Sequence, residues 1–239
     1  MQEHIVSSFD RDLEGIQARI MKMGGLVEQA ILDAAEALET RDEELSDKVR
    51  RGDKVIDELD ELIHEEAARV IALRAPTAVD LRVILSVMKT SNDLERIGDL
   101  AKNMAKRNSV LMQLTQIAGA TAALRRMARA VEVMLKDALD SYIQRDAALA
   151  RDVILRDRDV DQMYNATFRE FLTFMMEDPR NITACMHLHF IAKNLERMGD
   201  HVTSVAEQVV FLVEGAMPDE RQKGDKTSFD KSLSPEQGA

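Results

Sequence analysis

The pattern Leu-Glu-Arg-x-Gly-Asp occurs twice in this 239-residue chain, at Leu94–Asp99 and at Leu195–Asp200, 101 residues apart. Each copy sets two carboxylates at i and i+4, which on a helix stacks them on one face within reach of a shared cation. Each also carries a glycine inside the helix. Glycine there costs about 1 kcal/mol relative to alanine, so its presence at Gly98 and again at Gly199 points to a close backbone approach.

The copies belong to a longer repeat. At an offset of 104 residues Arg41-Asp42 recurs as Arg145-Asp146, Val27 as Val131, Glu28 as Glu132, Asp33 as Asp137, Asp53 as Asp157 and Asp57 as Asp161. The offset then falls to 101, a loss of three residues placed at the turn Glu177-Asp178-Pro179, opposite Arg74-Ala75-Pro76. A repeat of about one hundred residues means two copies of one bundle rather than a solenoid of short units.

Apolar periodicity gives the unit. Leu13, Ile16, Ile20, Met23, Val27, Ile31, Ala34 and Leu38 step by threes and fours, one helical stripe ending near Thr40. Residues 1–8 read as a short arm, with Ser8 or Asp10 as the cap. Gly24-Gly25 marks a weak point or close crossing, since the stripe continues in phase. Arg41-Asp42 opens a second helix, carried by Val49, Ile56, Leu59, Ile63, Ala67 and Val70 and stopped before Pro76. Thr77 caps a third, striped by Val83, Ile84, Val87, Leu94, Ile97, Ala101 and Met104 to about Ser109. Helices of about 30 residues are roughly 45 Å long. The expectation is an all-α chain of two tandem antiparallel three-helix bundles, residues 1–110 and 111–216, followed by a disordered tail, 217–239.

Composition agrees and excludes. Charged residues make up 31% and aromatics 4%, with no tryptophan, which favours helices. A net charge of −11 has the wrong sign for a nucleic-acid partner and disfavours direct anion sensing, but suits divalent cations or basic surfaces. The lone Cys185 forms no internal disulfide, and no signal peptide or membrane span is evident, so a cytoplasmic location is expected, with membrane contact only through partners.

The candidate metal ligands follow from the repeat: Glu95, Asp99, Asp53 and Asp57 in the first copy, Glu196, Asp200, Asp157 and Asp161 in the second. Carboxylates suit a divalent or multinuclear centre of Mg, Mn, Fe or Zn. On the last helix the seam is Ile191, Leu195, Met198, Val202, Val205, Val209 and Leu212. At about 100° per residue, Glu196 lies roughly 130° and Asp200 roughly 170° from its centre, so the pair is expected to face away from the core. Other signals are weaker. Glu61-x-x-His64 occurs once, His187 and His189 share no helix face, His201 reads as a surface histidine or accessory ligand, and Cys185 reads as a packed thiol. No P-loop, Rossmann glycine motif or nucleophile elbow is present.

At Leu94–Asn103 and Leu195–His201 the chain resembles the PhoU family, over about residues 5–215. The resemblance implies two tandem three-helix bundles with metal clusters on E(D)-x-x-x-D motifs, and no catalytic activity. It further implies a cytoplasmic, homodimeric negative regulator of phosphate uptake and phosphate-responsive signalling. Such a regulator links the ATPase subunit of a phosphate ABC transporter to a sensor histidine kinase. Asn194 stands where the first copy has Asp93, and Lys193 where it has Asn92, so the two sites depart from equivalence. Two alternatives stand beside this: a carboxylate-bridged metalloenzyme or metal-storage helical protein, and a purely structural helical protein whose acids are solubilising.

Overall fold

The computed structural model describes residues 2–74 and 76–218. Six helices follow in order: α1 Gln2–Thr40, α2 Glu43–Arg74, α3 Ala78–Leu111, α4 Ala120–Gln144, α5 Ala147–Glu177 and α6 Ile182–Glu214, with a 3-10 turn at Pro179–Asn181 before the last. No strand occurs among the described residues. The chain is thus two antiparallel three-helix bundles, α1–α3 and α4–α6, related by the internal repeat. The expected tail, apart from residues 217 and 218, lies outside the described residues.

Every stripe residue named above is buried, except Leu13, which is partly so. Helices α2 and α5 are outer, each packed on the other two helices of its own bundle. The inner four join the bundles, α1 against α4 and α3 against α6, and one apolar core runs through both halves. Gly24 makes the first junction: a Cβ there would fall 2.4 Å from Leu139 Cδ1 on α4. The helix passes through Gly24-Gly25 unbroken, so the pair marks a crossing and not a weak point.

The α3–α6 junction is antiparallel and polar at its middle. The Arg107 guanidinium stacks over the Phe190 ring at 4.3 Å near one end, and Arg82 over Phe211 at 5.3 Å near the other. Between them Asp93, 1% exposed, accepts hydrogen bonds from Ser204 Oγ at 2.7 Å and Lys89 Nζ at 3.1 Å, and lies 3.0 Å from His201 Nδ1. His201 is therefore neither a loose surface group nor part of the acid motif it follows; it ties α6 to α3.

Helix ends differ from expectation in three places. Helix α1 begins at Gln2, so residues 2–8 are helical and neither Ser8 nor Asp10 is its N-terminus. Arg41 does not open α2. It takes the left-handed conformation (φ 57°) that ends α1, as Arg145 (φ 55°) ends α4, while Asp42 N–H returns to Ala37 O and Asp146 N–H to Ser141 O. Arginine serves at the first of these because its guanidinium reaches the open end of α3, donating to Leu111 O at 2.8 Å and Leu114 O at 3.3 Å. Asp42 and Asp146 then cap the next helices, accepting from Leu45 N–H at 2.9 Å and from Ala148 and Leu149 N–H. Thr77 stands at the α3 N-cap, but its hydroxyl donates to the Asp80 carboxylate at 2.9 Å instead of accepting from the backbone.

Candidate metal-binding carboxylate clusters

Helix pairing gathers the first copy's acids on the α2–α3 seam and, on the α5–α6 seam, sets Asp157 against the second signature helix. The glycines set the approach. A Cβ on Gly98 would lie 3.1 Å from Ile56 Cδ1 and 3.6 Å from Asp53 Oδ1; one on Gly199 would lie 3.0 Å from Asp157 Oδ1 and 3.5 Å from Val160 Cγ1. Glycine thus lets each outer helix carry an aspartate directly under the signature helix, at the same place in both repeats.

In the first cluster Asp53 is 3% exposed, while Asp57, Glu95 and Asp99 are half-buried. Burial raises the pKa of Asp57, with a further push from Asp53. Burial also raises that of Glu95, opposed by Arg96 and reinforced by Asp99. These acids sit close enough to disfavour one another's charge. Two cations answer them. Arg96 lies 3.4 Å from Glu95 and 3.8 Å from Asp99, but is 54% exposed and strongly screened. Lys102 is more enclosed: its Nζ donates to Asp53 Oδ2 across the helix seam and sits 3.3 Å from Asp99 Oδ1. Asp53 holds the ammonium pKa up.

The second cluster is built differently. Glu196 is 7% exposed and Asp157 4%, with Asp161 and Asp200 half-buried. The expectation that Glu196 faces away from the core is therefore overturned. That geometry assumed one buried seam on α6, but α6 packs on α3, α4 and α5 together, so a residue well off the main seam is still enclosed. Lys193 Nζ reaches Glu196 Oε2 at 2.6 Å and lies 5.3 Å from the centre of the Tyr164 ring. The position matching Lys102 is Thr203, buried and uncharged.

Among the described residues no group of three or more His, Cys, Asp or Glu side chains is drawn into a metal-holding arrangement. The donor chemistry fits a hard or borderline divalent cation on the α5–α6 seam, where Gly199 holds Asp157 against the signature helix. On the α2–α3 seam an ammonium already lies between Asp53 and Asp99.

The remaining candidates resolve into packing. His64 Nδ1 lies 2.9 Å from the Asp60 carbonyl of its own helix, so Glu61-x-x-His64 assembles nothing. His189 packs among Tyr164, Phe168 and Phe190, and burial lowers its pKa, with Lys193 adding to the effect. Cys185 is a buried thiol whose pKa burial raises. Sequence reasoning missed Lys102 and Asp93 as functional groups. Lys102 was readable, since it follows Asp99 by three residues and faces a threonine at the repeat offset. The Asp93–His201 contact joins different bundles and carries no local signal.

Comparison with known proteins decides the family. The PhoU domain matches twice, at residues 20–107 and 124–209. The chain belongs to the PhoU family. It is 45% identical over 215 residues to a phosphate-specific transport system accessory protein PhoU homolog of Caulobacter vibrioides, covering 90% of this chain and 94% of that one. A homolog of the same description from Rhizobium meliloti is 44% identical over 233 residues, covering 94% and 95%. The crystal structure of PhoU from Pseudomonas aeruginosa superposes with a TM-score of 0.84 at 39% identity, over 87% of this chain and all of that one. That of the phosphate transport system regulatory protein PhoU from Streptococcus pneumoniae gives 0.81 at 30% identity, over 88% and 99%. These PhoU relatives are named as accessory and regulatory proteins, not as enzymes. No helix among the described residues is long and apolar enough to cross a membrane.

Proposed function

We propose that this chain is a cytoplasmic accessory protein of phosphate transport that restrains phosphate uptake and phosphate-responsive signalling when phosphate is plentiful. In this reading it is an adaptor between the ATPase subunit of a phosphate ABC transporter and a sensor histidine kinase, acts as a homodimer, and reaches the membrane only through those partners. The observation that carries it is the duplicated PhoU fold with its glycine-seated carboxylate pairs in register in both halves. An adaptor needs surface more than a pocket. The end of α5 and start of α6 supply an exposed apolar run, Met176, Ile182, Met186 and Phe190, the last three at steps of four on one helix face.

Glu196, Asp200, Asp157 and Asp161 would hold a Mg, Mn, Fe or Zn ion on the α5–α6 seam. Bound there, the ion supplies positive charge that offsets carboxylate repulsion. The protein's own part is structural. Gly199 sets the helix spacing, and Lys193 pairs with Glu196 along α6 while lying over the Tyr164 ring of α5. The metalloenzyme alternative draws nothing from His64, which is turned to its own helix.

The test is complementation. In a bacterium lacking its own PhoU, the chain is expected to lower a phosphate-regulon reporter and phosphate uptake in replete medium, and to be retained by the immobilised transporter ATPase and the kinase cytoplasmic domain. An unchanged reporter with intact expression would overturn the regulatory role; no retention above a blank matrix would overturn the adaptor.

A further inference from the structure

We infer that the groove between α3 and α6 is a docking surface for an acidic helix of a protein partner. The inference deepens the adaptor reading and rests on it, naming the face and the partner chemistry that reading leaves open. The two helices run antiparallel, with an arginine stacked on a phenylalanine near each end of their junction, Arg107 over Phe190 at 4.3 Å and Arg82 over Phe211 at 5.3 Å. Stacking holds a guanidinium flat and leaves the edge of its N–H fork open, the geometry that takes a carboxylate in two hydrogen bonds. Among the described residues no ion pair joins Arg82, Arg107 or Arg197 to an acid. A Cβ on Gly215 would fall 2.6 Å from Arg82 Nη1, so the end of α6 is kept bare beside that guanidinium.

Between the stacks the face stays basic. Arg197 is exposed and follows Phe190 by seven residues, two turns along the same side of α6, and Lys89 is exposed on α3. Apolar side chains are interleaved with them: Leu85 is 51% exposed, Phe190 42% and Met186 39%. The acids leave this face. Asp93 lies beneath it, buried and already bonded to Ser204 and Lys89. Glu95 and Asp99 turn toward α2, beside Asp57, and Glu196 turns toward Tyr164 on α5. A chain of net charge −11 thus carries one basic, partly apolar face, and charge complementarity selects an acidic partner. From Lys89 to Arg107 the face runs about 27 Å, the length of a helix of about 18 residues, and the line between two packed helices accepts the side-chain ridge of a third. Anionic lipid is the poorer fit, because Arg107 covers the Phe190 ring that would otherwise enter a bilayer.

Fluorescence anisotropy with the full chain tests this. The probe is a labelled helical peptide of about 18 residues, with leucines on one face flanked by glutamates; its counterpart carries lysine for every glutamate. The acidic peptide is expected to bind at low salt and to weaken as salt rises. Arg107→Glu/Arg197→Glu should lower its affinity at least about tenfold with helicity unchanged, and Phe190→Ala should weaken it as well. Arg51→Glu/Arg126→Glu, exposed on α2 and α4, should bind as wild type does. If the double variant of the groove does not fold, Arg197→Glu alone carries the test, with an expected loss of about threefold. No binding of the acidic peptide, equal binding of the lysine peptide, or an equal loss in the α2/α4 variant would overturn the inference. So would preferential binding to phosphatidylglycerol vesicles, which would make the face a lipid surface. The complementation reporter separates this result from the adaptor reading. If the wild-type chain fails to lower the reporter, the adaptor reading fails and the peptide titration still decides the face. If Arg107→Glu/Arg197→Glu lowers the reporter as well as wild type does, the adaptor stands and the docking face is overturned.

Discussion

The α2–α3 and α5–α6 seams are the same structure solved twice with different chemistry. Both set an aspartate of the outer helix, Asp53 or Asp157, against a glycine of the signature helix. Both add a second aspartate one turn on and a Glu-x-x-x-Asp pair opposite. The first seam then places an ammonium among the acids; the second has a threonine at that position. A like contrast lies along the α3–α6 junction. Asp93 is buried there with three partners, whereas its counterpart Asn194 is half-buried and leaves Nδ2 without a hydrogen bond. Duplication thus preserved the backbone geometry and the carboxylates while the countercharges diverged. Countercharge is the part of such a site that either side chain or solvent ion can supply, so it is the part free to change.

The largest effect should come from breaking the junction asymmetry. Asp93→Ala strips Ser204, Lys89 and His201 of a common acceptor inside the protein and is expected to cost about 3 kcal/mol, a fall in melting midpoint of roughly 6–12 °C. Asn194→Ala should cost under about 1 kcal/mol. Equal losses in the two variants, by circular-dichroism melting, would remove the contrast.

A smaller effect separates the two glycines. Alanine gains about 1 kcal/mol of helix propensity at either site. At Gly98 the new Cβ meets Ile56 Cδ1 at 3.1 Å and Cγ2 at 3.3 Å, apolar contacts whose crowding offsets the propensity gain, so Gly98→Ala should be near neutral. At Gly199 it meets the Asp157 carboxylate at 3.0 Å, so Gly199→Ala should destabilise by about 1 kcal/mol and weaken Mn²⁺ binding. Chemical denaturation with and without Mn²⁺ reads both.

The smallest effect lies on the α1–α4 junction. Burial raises the pKa of Glu28, with Glu132 and Asp140 adding to the rise and Lys136 opposing it. Its counterpart Glu132 holds Arg129 at 2.7 Å, where the first repeat has Gly25. A raised carboxylate pKa means the folded state binds the proton more tightly. Wild-type stability therefore gains as pH falls through the folded-state value, and ionised Glu28 is a cost at neutral pH. Glu28→Gln should melt slightly higher than wild type at pH 7, with the gap closing toward pH ~4.5. Glu132→Gln should show no such gain.

Much of this was legible before the structure. The stripes from Ile16 to Leu38 and from Val83 to Met104 placed the core, and the change of offset between Asp57 and Leu94 fell on a real break, since among the described residues helix is interrupted there only between Arg74 and Ala78. Gly98 and Gly199 announced the close approaches that the fold contains. Three things were not legible. The burial of Glu196 follows from α6 having three neighbours, and a single-seam projection counts one. The Asp93–His201–Ser204 cluster depends on how two bundles dock, which periodicity within a helix cannot express. Arg41 in the left-handed conformation is held by carbonyls some seventy residues away, where sequence rules look for glycine.

The most direct test of the unequal repeats is the metal content of protein purified without chelator, for wild type, Glu95→Gln/Asp99→Asn and Glu196→Gln/Asp200→Asn. Bound Mn, Fe, Zn or Mg that survives in the first variant and is lost in the second, with helicity intact in both, is the predicted result. Equal loss in the two variants, or loss confined to the first, would contradict it.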